Sequence, residues 1–267
     1  GFSGILDVGS WSVTGFYTQA VRVRQYELNK PDAQTEFYGA YASGSVPWDA
    51  TLDAYFLGLS RDEIAVGSGY NGTEGAEDRF TLGARLGGTI GGTGLDYDLE
   101  GGYQLGRIGG EDIDAWFFAS LVGFRLEDVY GKPRLFAGFD VASGDRSAGG
   151  DVQTFNQLFP LGHAYLGFMD LIGRQNIAAV TGGLTIDVLE ATSVLVQGHG
   201  FFRAEDSDAL YNAGGAAARP GDSGSSHYVG SELDLVVRRA FGRHLVGLVG
   251  YSHFFPGTFI RQSGPSS

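Results

Sequence analysis

Leu95-Asp96-Tyr97-Asp98-Leu99-Glu100-Gly101-Gly102-Tyr103-Gln104-Leu105 alternates apolar and polar residues, and its polar set is acidic rather than merely hydrophilic. Successive side chains of a strand point to opposite sides. Leu95, Tyr97, Leu99, Tyr103 and Leu105 therefore share one face, and Asp96, Asp98, Glu100 and Gln104 share the other. One oily face and one charged face suit a soluble sandwich, or a barrel with lipid outside and water inside.

The same alternation recurs on both sides of this stretch. Segments near Trp11–Ala20, Glu36–Ser43, Thr51–Leu59, Arg79–Ile90, Leu95–Arg107, Asp112–Leu126, Arg134–Ser143, Asn176–Leu189, Thr192–Ala204, His227–Ala240 and His244–Phe255 read as strands bounded by Gly, Asp, Asn or Pro. In the fourth, Phe80, Leu82, Ala84 and Leu86 oppose Arg79, Thr81 and Arg85; in the tenth, Leu233, Leu235 and Val237 oppose Glu232, Asp234 and Arg238. Short links mostly alternate with long ones near 21–35, 60–78, 144–175 and 205–226, with 256–267 as a further loop. Hairpins in an outer membrane have this rhythm, with short periplasmic turns and long extracellular loops. A sandwich has no such obligation. Many strand aromatics, among them Trp11, Tyr17, Trp116, Phe118 and Phe255, fall near strand ends, where a barrel carries its interfacial girdles.

Composition agrees. The 267 residues include 45 glycines without a collagen period, which suits curved, crowded sheets. The absence of cysteine excludes disulfides and thiolate metal sites. A net charge of −13 argues against a nucleic-acid partner. No run approaches the roughly 18 apolar residues of a membrane helix, a test that barrel strands of about 9–11 residues escape. The chain opens at Gly1 without an initiator Met or a signal-like segment, and the expectation is that processing or truncation removed it. The reading is an all-β, antiparallel, up-and-down transmembrane barrel. It comprises a single domain over 1–267 with about 11–12 strands, forming part of a larger barrel.

The most distinctive text lies between Ser143 and Ile177. Ala142-Ser143-Gly144-Asp145 leads into Thr154-Phe155-Asn156-Gln157-Leu158-Phe159-Pro160-Leu161-Gly162-His163-Ala164-Tyr165-Leu166-Gly167-Phe168-Met169-Asp170. This resembles the alginate-export family of bacterial outer-membrane barrels, with its Ala-Ser-Gly-Asp strand end, Phe-Asn-x-Leu-Phe-Pro loop and Tyr-x-Gly-Phe-x-Asp segment. Phe37-Tyr38-Gly39-Ala40-Tyr41, Thr81-Leu82-Gly83-Ala84-Arg85-Leu86 and Gly250-Tyr251-Ser252-His253-Phe254-Phe255 agree in order, so the resemblance spans nearly the whole chain. Against the family the chain looks truncated at both ends. Phe2–Val8 reads as the tail of an earlier strand, and the residues after Phe255 as a loop before an absent final one. An open edge in lipid leaves unpaired backbone groups, so the expectation is a fragment or incomplete stretch of a longer chain, or an edge covered by another chain such as an envelope protein.

The resemblance implies a Gram-negative outer-membrane location, lipid as a partner, and passive export of a polyanionic polysaccharide past a basic constriction. It also makes the loop carrying Phe155, Asn156, Phe159, Pro160, Tyr165, Phe168 and Asp170 a lid. Alternation points Arg79, Arg85, Arg134, Arg203 and Arg238 into the lumen, where a guanidinium fork grips carboxylates. It points Asp96, Asp98, Glu100, Asp114, Glu232 and Asp234 there too, and these acids can instead ladder with the arginines and fix the wall. Their excess favours small neutral or cationic solutes over alginate. The functional expectation is a channel for a hydrophilic solute or polysaccharide. The alternative is a non-conducting structural or docking barrel of an envelope complex. Neither is an enzyme, since the serines lack a nucleophile elbow or triad order. The five histidines are dispersed without metal-ligand spacing. No cofactor is expected; the acidic, Gly-rich run 144–151 offers oxygen ligands for Ca²⁺, against the blander reading of a solvated loop. Asn71-Gly72-Thr73 has the form of a glycosylation acceptor, without meaning in a bacterial outer membrane.

Overall fold

Alternating β-branched and aromatic residues make each of these segments a long strand, since such side chains pack well on a pleated surface. The computed structural model describes residues 1–22, 26, 28–64, 73–147, 149–163 and 165–264. Twelve strands form one antiparallel sheet in chain order. They are β1 (Phe2–Val8), β2 (Trp11–Arg22), β3 (Lys30–Val46), β4 (Ala50–Ile64), β5 (Gly75–Ile90), β6 (Leu95–Ile108), β7 (Glu111–Arg125), β8 (Arg134–Ala142), β9 (Ile177–Leu189), β10 (Thr192–Arg203), β13 (Tyr228–Phe241) and β14 (Leu245–Pro256). Between β10 and β13 a separate ribbon pairs β11 (Leu210–Tyr211) with β12 (Ala217–Arg219), and a short helix α1 (Thr258–Gln262) follows β14. Phe2–Val8, read as a strand tail, is a strand paired along its length with β2. The sheet ends at β1 and β14, which do not pair with each other.

Register carries the alternation from strand to strand. Thr81 on β5 pairs with Gln104 on β6, which pairs with Ala115 on β7; Leu82, Tyr103 and Trp116 form the matching row on the other face. The connections separate two ends. Residues 9–10, 47–49, 91–94, 126–133, 190–191 and 242–244 make the turn end, while 23–29, 65–74, 109–110, 143–176 and 204–227 lie at the loop end. Gly94 closes the 91–94 turn at φ +79°, a left-handed conformation that glycine adopts without a steric penalty. Parts of the long connections, at 23–25, 27, 65–72, 148, 164 and 265–267, lie outside the described residues, and with them Asn71 and Gly72 of the glycosylation sequon.

Loop 143–176 touches inner side chains from distant strands. Phe159 meets Phe37 of β3 with ring centroids 4.8 Å apart, and the Met169 N–H donates to Glu232 of β13 at 2.9 Å. The sheet therefore wraps around this loop. The apolar core sits beneath it at the loop end, where Ile113, Ala115, Phe117, Ala142, Ile177 and Phe201 of the sheet pack with Val152, Phe155, Ile172, Leu210, Tyr211 and Phe259. The opposite, convex face carries exposed Leu82, Leu99, Trp116, Phe118, Leu235 and Tyr251.

Candidate functional site

At the turn end the concave face is a charged wall open to water. Arg85 forks onto Asp98 and stands 3.6 Å from Asp53. Arg134 forks onto Asp96 at 2.8 and 2.5 Å, its guanidinium lying over Gly123, where a Cβ would push it aside. Further in, Arg174 reaches from the loop to Asp140 at 3.0 and 2.5 Å, between the rings of Tyr165 (4.8 Å) and Phe117 (5.6 Å). Glu100 accepts the hydroxyl of Tyr55 at 2.7 Å. Inside the rim, the described wall from β4 to β8 and the facing loop thus set Arg85, Arg134 and Arg174 against Asp53, Asp96, Asp98, Glu100 and Asp140. Each arginine is already held by a carboxylate.

Two cavities of about 330 Å³ flank this point. One, toward the turn end, is bounded by Arg85, Asp98, Arg134 and His199; the other, under the loop, by Tyr41, Tyr55, Phe155 and Phe159. Glu100, Tyr165 and Arg174 line both, so they form the waist between them.

At the loop end the charges point inward but are sealed. Arg79 is fully buried between Glu77 (2.7 Å) and Gln104 (2.9 Å). Gln104 also grips the loop backbone, donating to the Asn156 carbonyl at 2.8 Å and accepting the Asn156 N–H at 2.9 Å. Arg203 donates to the carbonyls of Asp206 and Asp208 and to Ser225 Oγ beneath the Phe259 ring. Glu232 and Asp234 are buried under residues 167–169 of the loop, and His199 is buried beside Asp234 at 3.6 Å.

The sequence-derived residues therefore divide. Arg85, Arg134, Arg238, Asp96, Asp98 and Glu100 stand on the concave face with solvent access. Arg79, Arg203, Glu232 and Asp234 share that face but are closed off, a correction that follows from loops packing down onto these side chains rather than standing over an open lumen as a lid. Asp114 is a second correction. It lies on the convex face with Leu105 and Trp116 and accepts the Tyr103 hydroxyl at 2.6 Å. Its apolar neighbours Ile113 and Ala115 face the core under the loop, so apolarity there marks protein rather than lipid. In the loop, Phe155 packs on Phe117, Asn156 on Gln104 and Phe159 on Phe37; Pro160 lines the inner cavity, Tyr165 covers Arg174, the Phe168 N–H points to Asp234, and Asp170 accepts the His163 N–H. Sequence reasoning missed Arg174 as a wall residue because a loop has no period to give its direction. For Ca²⁺, no group of three His, Cys, Asp or Glu side chains converges among the described residues, and Asp145 turns its carboxylate to the Ser147 N–H.

Long antiparallel hairpins, a convex apolar belt and a charged concave face define a β-barrel channel protein of the bacterial outer membrane. The family model for alginate export matches residues 1–267, the whole chain, and the protein belongs to this family. Among solved structures it is similar to the crystal structure of Pseudomonas aeruginosa OccK11 (OpdR), with 14% identity, 96% of this chain and 75% of that chain covered, and a TM-score of 0.48. No curated protein matches the sequence significantly.

Proposed function

We propose that the protein is a passive channel for small hydrophilic solutes, neutral or cationic rather than polyanionic, with loop 143–176 as its constriction and Glu100, Tyr165 and Arg174 at the waist. The observation that carries this reading is the charge inventory of the wall. Inside the rim from β4 to β8, Arg85, Arg134 and Arg174 are each engaged by Asp98, Asp96 and Asp140; Asp53 shares Arg85 at 3.6 Å, and Glu100 has no cation within 4 Å among the described residues. A polyanion would have to displace these pairs and then pass Glu100, whereas a cation meets a favourable field at that point. The lid residues Phe155, Asn156, Phe159, Pro160, Tyr165, Phe168 and Asp170 then act from inside the lumen, narrowing it.

Planar-bilayer recording of the folded chain in a salt gradient tests this. A steady current with a cation-selective reversal potential, little altered by a polyuronate, is expected. Anion selectivity with block by polyuronate would overturn it. One observation favours the second reading, a non-conducting docking barrel: the loop is fastened to β6, β8 and β13 by hydrogen bonds, as a plug would be. No current from a correctly folded chain would establish that reading instead.

A further inference from the structure

Beyond the waist the interior changes from a charged wall to an aromatic chamber. Tyr41 and Tyr55 stand directly opposite each other on β3 and β4, with rings parallel to within 1° and centroids 5.7 Å apart. Tyr55 lies across Gly83, where any Cβ would take the ring's place, and its hydroxyl donates to Glu100. That bond fixes Glu100 without neutralising it. Arg85 is the cross-strand partner of Glu100, yet its guanidinium is committed to Asp98 and Asp53. Arg174, the cation that faces the chamber, is held by Asp140. A half-buried carboxylate beside π faces, with no cation of its own within 4 Å among the described residues, has a field that a positive ligand would satisfy.

We infer that this chamber of about 330 Å³ is a binding site for an organic cation, an ammonium group on a small apolar or aromatic body. The ammonium sits beside Glu100 and over the Tyr41–Tyr55 pair, and the body packs against Phe117, Phe155 and Leu166, which bound the chamber. Aromatic faces attract a cation within about 6 Å of the ring centre, and more strongly where water is excluded. An anion would meet Glu100 and Asp170 with no uncommitted arginine among the described residues that bound the chamber. A neutral polyol would bring many hydroxyl groups to a largely apolar lining and leave them unpaired. The inference rests on the channel reading only in that the chamber lies on the same path, past the waist.

The test titrates the folded chain in detergent micelles, by calorimetry, with benzyltrimethylammonium, benzenesulfonate and benzyl alcohol. Saturable binding of the cation, at least about tenfold tighter than either counterpart, is expected. Glu100→Gln should weaken it about tenfold and Tyr55→Leu about fivefold, while Arg107→Gln, at an exposed surface pair, should leave it unchanged. Equal binding of all three compounds, or an unaltered affinity in Glu100→Gln, overturns the site; where a variant fails to fold, the ranking of the three compounds on the unaltered chain decides. Bilayer conductance measured in parallel separates the two proposals. A chain that binds the cation but passes no current keeps the site and loses the channel, and one that conducts without binding it loses the site alone.

Discussion

At the loop end, Arg79 lies against Glu77 with neither side chain exposed, and the loop backbone closes over both through Gln104. At the turn end, Arg85 pairs with Asp98 while 44% of the arginine side chain remains exposed. Both arginines sit on β5, six residues apart on the same face. Alternation chose that face for both, and the inward loop gave them different work. A pair sealed from water must have every partner in place, because an orphaned buried charge costs several kcal/mol, whereas an exposed pair can break at little cost. The loop end is therefore a protein core built from polar and apolar parts. The turn end is a wall whose charges remain available to a passing solute.

The sharpest way to break this contrast is at Asp208. It is fully buried and accepts from the Asp145 N–H (2.9 Å), Thr154 Oγ1 (2.5 Å), the Ala209 N–H (2.7 Å) and the Tyr211 hydroxyl (2.8 Å), joining loop 143–176 to loop 204–227. Asp208→Ala strands four donors and should cost about 3–5 kcal/mol in urea unfolding of the vesicle-inserted protein. A loss below about 1 kcal/mol would mean that the loops are not a packed core. Next comes Gln104→Ala, which releases the two backbone bonds at Asn156 and one acceptor of Arg79, leaving Glu77 to hold that charge. A cost of about 2 kcal/mol is expected, with larger or noisier single-channel currents as the loop loosens. Unchanged conductance would argue that the loop does not set the constriction.

At the turn end the order of effects reverses. Arg85→Glu with Arg134→Glu should change stability by only about 1 kcal/mol per site, since both pairs are partly exposed. It should nevertheless move the reversal potential further toward cations. An unaltered reversal potential in the folded variant would remove both arginines from the conduction path.

Why some of this was legible in the sequence follows from the same contrast. A period of two assigns a face wherever a strand has lipid on one side and water on the other, as for Asp96, Asp98 and Glu100 against Leu95, Tyr97 and Leu99. It fails where protein replaces water. Ile113, Ala115 and Phe117 are apolar because Val152 and Phe155 cover them, so the phase of β7 reads backwards and Asp114 appeared to face inward. Arg174 and the Tyr41–Tyr55–Glu100 arrangement were not readable for another reason. Each depends on side chains that are far apart in the chain and meet only through register or through the path of a loop. The segment Phe155–Asp170 was recognisable as text. Nothing in that text says that it folds into the lumen.

The smallest effect belongs to a loop-end group that, unlike Asp208, is only half-buried. Asp206 accepts the Gly224 N–H at 2.7 Å, and this bond holds its carboxyl below the usual carboxylate range. A depressed folded value means that the bond contributes fully above the ordinary aspartate value of about 3.9 and is lost only as pH falls through the lower folded value. Protection of the Gly224 amide from hydrogen exchange, corrected for the intrinsic rate, should therefore be flat between pH 7 and pH 5 and decline only below about 4. Asp206→Asn should abolish that decline. A step between pH 5 and 7 would point to a different titrating group. Because Asp206 is half-buried where Asp208 is sealed, the loop core anchored by Asp208 should remain folded through the whole range, and acid should fray the loop margin before it reaches the buried tie.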